Sequence, residues 1–488
     1  MFIELAFCAL LVCSTLVAMI AVASRRRLRG PRRQSVGFLH PTSGGGGGGE
    51  RVLWIAIQSV LREQLDEHPA QRKTVILYTG RYQRPGGSTS AAEDTTYLVD
   101  LVRRQFGIEL PFQPEVVYLN STIVKWLDAK QYPRLTLVLQ TFLGGTMLAF
   151  DVAVMRGCTD VIIDTVGLPG CYPLLRALFP AVISSPVVLI AYVHYPTITA
   201  EMFRRVRARE LSHVNDVAAS TILSYAKLAY YRVFAFLYVN GCLRRCNLLM
   251  GNSTWTCGHL TSLLKKGDSV LPPVRLVYPP VDVARYSRTV NSDRANVILS
   301  VGQFRPEKNH PLQLRAFASA VPRLPADTRL VLLGGVRNDD DRRRVDQLKS
   351  MVARSASEMA SDISQRVEFV CSAPIAVLES HLQTAAVGLH TMTDEHFGIV
   401  VVEYMAAGLI PLAHDSAGPK MDIVREGVDG FLRRDERGFA DAMIDLFRMK
   451  ASEPTRFRAM QRSARERAES FGDEFFVKRF LAAMQTSC

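Results

Sequence analysis

Two glutamates eight residues apart carry the sharpest chemical signal in the chain. Glu395 and Glu403 lie in DEHFGIVVVEYMAAG, directly after the apolar run VGLHTM. The pattern places Glu395 in a loop after a strand and Glu403 about one turn inside the following helix. Glu403 interrupts the apolar run IVVVEYMAAGLIPLA, and burying a carboxylate is costly unless something pairs with it. A ligand hydroxyl would pair with it, as would a core hydrogen bond. Upstream, QFRPEKNHP sets Arg305 and Lys308 together between a buried strand and a helix. Arginine offers phosphate a planar fork and lysine a compact charge. The pair therefore suits a diphosphate leaving group, whose negative charge grows as its bond breaks.

Two further loops belong with these. His194 closes the apolar run VVLIAYVHYP. A lone histidine is commonly structural, but the carboxyl end of a strand is where α/β folds place ligands. The glycine run 44–49 follows SVGFLHP and opens the helical pattern ERVLW. Glycine lets the backbone approach an anion, and a helix N-terminus favours phosphate; the plainer reading is a flexible low-complexity loop. A dinucleotide fold would want an acidic residue at the end of the next strand to bind a ribose. KTVILYTG ends without one, which argues against a dehydrogenase. NDDD (338–341) reads as a solvated loop or helix start, so no metal site is expected and the chemistry is expected to be metal-independent.

These loops need elements to hold them. Short apolar runs alternate with amphipathic segments from residue 35 onward. Strands are expected at SVGFLHP, KTVILYTG, PEVVYLN, DVIIDTVG, VVLIAYVHYP, NLLMGN and RLVYPP. A second set is NVILSVGQF, RLVLLGG, RVEFVCS, VGLHTM and LIPLAHD. Continuous apolar strands alternating with helices indicate buried parallel sheets. Residues 281–296 read as a linker, 86–96 as a surface loop. The expected organisation is a membrane anchor with its basic flank at 1–33, one domain at 34–285, a second at 286–455, and C-terminal helices at 456–488 packing across both.

The anchor rests on residues 1–24, which are almost entirely apolar with Glu4 the only charge, and are followed by RRRLRGPRR. About 20 apolar residues span a bilayer, and the positive flank stays cytoplasmic. That makes a single-pass protein with its body in the cytosol, where the sequons at Asn120 and Asn252 go unused. The run YAKLAYYRVFAFLYVNGCLRRC (225–246) is too interrupted to span and is expected to lie in the membrane interface. A net charge of +13 suits anionic lipid or a phosphorylated substrate. No nucleic-acid-binding signature accompanies it. Nine scattered cysteines without a C-x-x-C pair argue against a structural zinc site and fit a reducing compartment better than a disulfide framework.

Taken together, GGGGGGERVLW, DVIIDTVG, HYPTITAEM, NSTWTCGH, YPPVDV, VGQFRPEKNHPLQLRAF, LGGVRNDDD and LHTMTDEHFGIVVVEYMAAGLIPLAHDSAGPKMDIV resemble the family 4 retaining glycosyltransferases of the GT-B fold. Within them, the likeness is to the α-1,2-mannosyltransferases of asparagine-linked glycosylation, and it runs from about residue 35 almost to the end. The resemblance implies an α/β architecture of two Rossmann-like domains facing a cleft. It implies transfer of the fourth and fifth mannoses from GDP-mannose to a dolichyl-diphosphate oligosaccharide at the cytosolic face of the endoplasmic reticulum membrane. Membrane lipid and the other cytosolic-face mannosyltransferases of the pathway are the further partners it implies. Arg305 and Lys308 would then hold the diphosphate and Glu403 the ribose. Glu395 and the backbone of His396, Phe397, Gly398, Ile399 and Val400 would hold the mannose. Gly48 and Gly49 would approach the diphosphate, and His194 would lie beside the transferred sugar. Asp394 and Asp415 stand where that pattern has neutral side chains. Two alternatives stay open on the residues alone: a family 4 transferase with another donor or acceptor, and a catalytically inactive scaffold subunit.

Overall fold

The computed structural model describes residues 34–486, apart from 70, 83–89, 133, 158, 184–186, 199–201, 204–205, 207–220, 266–270, 288–293 and 360–362. The apolar segment 1–24 and its basic flank lie outside the described residues. The chain divides into two units, residues 1–252, 256–277 and 477–488 in one, and 253–255 and 278–476 in the other.

The first unit runs β1 (Ser35–Leu39), α1 (Gly48–Arg62), β2 (Thr74–Thr79), α2 (Ala91–Phe106), β3 (Glu115–Tyr118), β4 (Val161–Asp164), α3 (Tyr172–Ile183), β5 (Val188–Val193), α4 (Thr221–Phe236), β6 (Leu248–Gly251), α5 (Thr254–Leu264) and β7 (Val274–Leu276). Its seven strands are parallel in the order β3-β2-β1-β4-β5-β6-β7. β1 is buried along its whole length, as a strand covered on both faces must be. Gly37 in β1 is forced, because a Cβ there would stand 2.7 Å from Thr159 and 2.8 Å from the Tyr78 ring. Between β3 and β4, Thr136–Ala153 forms a helical run interrupted by wide π turns.

The second unit holds α6 (Val283–Ser287), β8 (Ala295–Val301), α7 (His310–Ala320), β9 (Arg329–Gly334), α8 (Asp339–Met359), β10 (Val367–Cys371), α9 (Ile375–Thr384), β11 (Ala385–His390), α10 (Ile399–Ala406), β12 (Ile410–His414), β13 (Phe431–Arg433), α11 (Glu436–Ser452) and α12 (Pro454–Glu469). The six parallel strands follow the order β10-β9-β8-β11-β12-β13. α13 (Asp473–Gln485) ends the described chain. NDDD starts a helix as expected, with the Asn338 side chain accepting from the Asp341 amide at 2.9 Å. The described cysteines Cys171, Cys242, Cys246, Cys257 and Cys371 are unbridged.

Two expectations need correction. Residues 281–287 are not linker, since Val281 and Val283 are buried in the second unit's core and Arg285 pairs with Glu379 at 2.6 Å. Likewise AAEDTT is not loop: Ser90 caps α2 by accepting from the Glu93 amide, and Asp94 is buried on the helix's inner face.

Candidate functional site

In each sheet the strand order reverses at one place, between β1 and β4 in the first and between β8 and β11 in the second. Loops leaving the carboxyl ends of such neighbouring strands open on a crevice, the usual ligand position in α/β sheets. The sequence puts its chemistry at these two places.

In the second unit, the loop after β8 turns through a short 3-10 helix, Pro306–Lys308, and the loop after β11 carries Thr391 to Gly398. They meet where the Lys308 ammonium donates to Glu395 Oε2 at 2.7 Å and lies 3.3 Å from Met392 Sδ. Thr391 Oγ1 braces the junction by donating toward the Lys308 and Asn309 carbonyls, and Gln313 donates to Thr391 at 2.9 Å. His390 Nε2 stands 3.2 Å from the same Glu395 oxygen, close in distance but out of line for a good hydrogen bond. Burial alone would push the Glu395 carboxyl up; His390 and Lys308 override it and hold the group well below the usual carboxylate range. Glu395 is therefore an ionised acceptor. Burial pulls His390 down toward neutrality, partly offset by Glu395. Lysine has three donors, so Lys308 keeps one beyond Glu395 and Met392. Arg305 sits at the N-cap of the same turn, with its guanidinium partly exposed and only 3.7 Å from Glu307.

The α10 N-terminus completes this site. Gly398 has φ +105°, a conformation strained for any other residue, and it turns the chain into the helix. Gly418 packs so tightly that a Cβ would stand 2.4 Å from the Phe397 carbonyl, and its amide donates to the Glu395 carbonyl at 2.9 Å. The first amides of a helix have no partner within it, so Gly398, Ile399 and Val400 present donors beside the Glu395 carboxylate. The His396 ring lies against Trp255, with centroids 5.1 Å apart. Glu403 stands one turn into α10, where the Tyr286 hydroxyl reaches toward it at 3.5 Å. The two unexpected acids have local explanations. Asp394 adopts φ +56°, a left-handed position that aspartate tolerates better than most residues, and its amide donates to Ser416. Asp415 is paired with Lys420 at 2.8 Å and Arg434 at 2.7 Å.

In the first unit, His194 follows β5 and its Nε2 lies 2.9 Å from the Thr165 carbonyl. A carbonyl only accepts, so Nε2 carries the proton and Nδ1 is left as an acceptor. Burial lowers the His194 pKa, which keeps the ring neutral. Thr165 serves a second histidine, because its hydroxyl bonds His40 Nδ1 at 2.8 Å. Burial takes His40 down to about 3. Thr165 is fixed in turn by Asp164, a fully buried carboxylate that accepts from the amides of Val166, Gly167 and Leu168 and from the Tyr172 hydroxyl. Of the glycine run, Gly49 lies against His194, a Cβ there falling 3.7 Å from Nε2. Gly47 begins α1, and its amide donates to Glu50 at 3.0 Å, so the helix start already holds one carboxylate.

The expected residues thus fall into two groups: Arg305, Lys308, Glu395, Glu403 and the His396–Val400 backbone in one unit, and Gly48, Gly49 and His194 in the other, with Lys308 and Glu395 in direct contact. Five residues were missed: His390, Trp255, His40, Asp164 and Thr165. A signal existed for His40, Asp164 and His390, since each ends or directly follows an apolar strand run. Nothing in the pattern marked Trp255.

Comparison with known proteins adds an independent line. A family described as "ALG11 mannosyltransferase N-terminus" matches residues 33–264, and one described as "Glycosyl transferases group 1" matches residues 285–467. A mouse protein named GDP-Man:Man(3)GlcNAc(2)-PP-Dol alpha-1,2-mannosyltransferase is 36% identical over 93% of this chain and 87% of its own length. The human protein of the same name is 34% identical over 99% of this chain and 96% of its own. Among solved structures, Anabaena HepE in complex with UDP superposes with a TM-score of 0.60 at 16% identity, over 93% of this chain and 100% of that one. Sucrose-phosphate synthase from Thermosynechococcus elongatus gives 0.58 at 16% identity, over 93% and 99%. At such identity these structures speak for the fold alone, and that fold is GT-B.

Proposed function

The chain belongs to the family of GDP-Man:Man(3)GlcNAc(2)-PP-Dol α-1,2-mannosyltransferases, and from that premise we propose how its residues carry the reaction. It is a glycosyltransferase of the GT-B fold. It transfers mannose from GDP-mannose to Man(3)GlcNAc(2)-diphosphodolichol, adding the fourth and fifth residues in α-1,2 linkage. The observation that carries the residue assignment is the junction of the β8 and β11 loops, where Lys308 and Glu395 meet at 2.7 Å. A cation for the leaving diphosphate and an ionised acceptor for sugar hydroxyls stand side by side there.

Mannose is α-linked in donor and product, so the anomeric configuration is retained. The transition state has oxocarbenium character, as in glycoside hydrolysis. The acceptor hydroxyl attacks from the face the diphosphate leaves, and the departing phosphate takes its proton. Arg305 and the remaining donor of Lys308 neutralise the diphosphate as charge builds. Glu395 and the amides from His396 to Val400 position the mannose. Glu403 binds the ribose. Gly48 and Gly49 let the α1 N-terminus approach phosphate, and His194, neutral with Nδ1 as acceptor, holds a hydroxyl of the transferred sugar. Catalysis then rests on positioning and charge stabilisation. The two cationic side chains fill the role that a metal has in other transferases, so the reaction is metal-independent.

The lipid-linked acceptor agrees with membrane association. Two helical stretches of the first unit support it. Thr136–Ala153 is apolar enough to cross a bilayer by composition but is 39% buried against the protein, which favours an interfacial position. Beside it, α4 carries apolar side chains on its outer as well as its inner face. Phe234 packs on Phe142 and Tyr238, while Tyr225, Val233 and Phe236 stand out at 69%, 57% and 66% exposure. This face rests in the interface of the endoplasmic reticulum membrane, and the segment before residue 25 crosses it once, leaving the body in the cytosol.

A donor panel tests the assignment. Purified full-length protein bound to GDP-mannose in preference to UDP-glucose and UDP-N-acetylglucosamine, with transfer unaffected by EDTA, is the expected result. Preference for a UDP-sugar, or strict dependence on added Mg²⁺ or Mn²⁺, would overturn it.

A further inference from the structure

The carboxyl edge of the first sheet carries a second group of side chains, beside the glycine run and away from His194. Arg81 and Tyr82 follow β2, Tyr118 ends β3, and Asp94 and Tyr97 face them from the first turns of α2. The Tyr82 ring stacks on Tyr97 with centroids 6.0 Å apart and planes 27° apart. It remains 39% exposed. The Arg81 guanidinium lies over the Tyr118 ring at 5.5 Å, and its Nε is 3.0 Å from Asp94 Oδ2. Asp94 is buried, yet neither of its oxygens makes an aligned hydrogen bond among the described residues.

This is a costly arrangement. A buried carboxylate with one partner recovers little of its desolvation energy, so stability does not account for it. Its effect is to hold a guanidinium over an aromatic ring at the carboxyl edge of the sheet. Because Asp94 cancels the charge of Arg81, the group is a poor anion site. It offers instead a partly exposed aromatic ring, Tyr82, and directional donors, which suit the apolar C–H face and the hydroxyls of a pyranose.

The group is continuous with the reaction centre. A Cβ on Gly44 would stand 2.7 Å from the Tyr82 ring, and one on Gly49 would stand 3.7 Å from His194. The glycine run therefore joins the two. β2 is three strands from β5, roughly 14 Å at ordinary strand spacing. A saccharide with its reacting end at His194 reaches Tyr82 only through intervening sugar units.

We propose that Tyr82, Tyr97, Arg81 and Asp94 form a saccharide subsite that holds the acceptor's oligosaccharide away from its reacting mannose. The inference rests on the acceptor being an oligosaccharide, as in the proposed function. Tyr82 is the contact residue, and Asp94 acts through Arg81 as a positioning residue.

The test uses the full chain in lipid or detergent, with GDP-mannose and the trimannosyl lipid-linked acceptor. Tyr82→Ala raises the KM for acceptor about tenfold, the scale of one lost aromatic contact, and leaves the KM for GDP-mannose where it was. Tyr82→Phe keeps the ring and restores most of the acceptor affinity. An unchanged acceptor KM in Tyr82→Ala, or an equal rise in the donor KM, would overturn the subsite. If the wild type transfers no mannose, the functional reading fails on its own account. Calorimetric binding of the free Man(3)GlcNAc(2) glycan to wild type and Tyr82→Ala then still decides, since the subsite demands weaker binding by the variant and equal or absent binding refutes it.

Discussion

In the proposed mechanism Lys308 has two duties, and its substitution removes both. If it stabilises the diphosphate as it leaves, as proposed, Lys308→Ala lowers kcat on the order of 100-fold, about 3 kcal/mol of lost charge stabilisation, with a smaller change in GDP-mannose binding. It also secures Glu395 at 2.7 Å, so Lys308→Ala and Glu395→Gln are not additive. A double-mutant cycle on kcat/KM gives a coupling of ~1–3 kcal/mol, and a coupling near zero would mean that the pair acts independently. Glu403→Gln raises the donor KM first, because a ribose contact remote from the breaking bond acts through uniform binding; steady-state kinetics with varied GDP-mannose checks it. As a candidate, Glu403 was legible because a charge inside an apolar run is costly without a partner, and Arg305, Lys308 and Glu395 were legible because they stand in loops directly after buried strands. Thr165 was not, because its contribution to His194 comes from a main-chain carbonyl that any residue has.

At the level of elements, the strand ends depend on packing around buried polar groups. His310 opens α7, stacks on Phe304 and is almost fully buried. Burial first, then the charges of Lys308, Arg344 and His390, take its pKa down from 6.5 to about 4. The unfolded chain therefore takes up the proton first as pH falls below 6.5. Stability drains away from there down to about pH 4, by about 3 kcal/mol in all from this group. Thermal unfolding between pH 7.5 and 4.5 should show this loss, and His310→Phe, which keeps the stack, should flatten it; an identical pH slope in the variant would refute the assignment. Arg294 fastens α9 and α10 by donating to the carbonyls of Leu382, Ala385 and Ala407. Arg294→Met leaves those carbonyls unpaired, costs about 2 kcal/mol and lowers Tm by roughly 4–8 °C, measurable by calorimetry. The twelve strands expected from apolar runs all form. β13 was not expected, since FLR is three residues long, none of them fully buried, and exists only because β12 offers an edge to pair with. The α2 start reads as loop in the sequence because its first turn, AAEDTT, is mostly exposed and polar.

For the whole molecule, membrane and glycan decide the account. The first unit exposes Trp126, Leu135, Met147, Tyr225, Val233 and Phe236, with the exposed cations Lys125, Lys130, Arg134 and Arg232 close by in sequence. Apolar side chains mixed with basic ones suit the interfacial position proposed for this surface. Val233→Ser with Phe236→Ser should reduce flotation of a form lacking residues 1–34 with anionic liposomes, while leaving its melting temperature nearly unchanged. Flotation equal to that of the unsubstituted form would refute the surface. Phe234 belongs to the core, so its substitution would report unfolding. Topology is better read at Asn120, which is exposed, than at Asn252, which is buried and accepts from Thr256; a glycan on Asn120 in microsomes would place the body in the lumen. The most direct test of the central claim is mass analysis of the lipid-linked glycan after incubating the purified full-length protein with GDP-mannose, EDTA and Man(3)GlcNAc(2)-diphosphodolichol. The expected result is a gain of two hexoses, both removed by an α-1,2-mannosidase, and no gain with Lys308→Ala over the same time. An unextended acceptor, or added hexoses that resist that mannosidase, would contradict it.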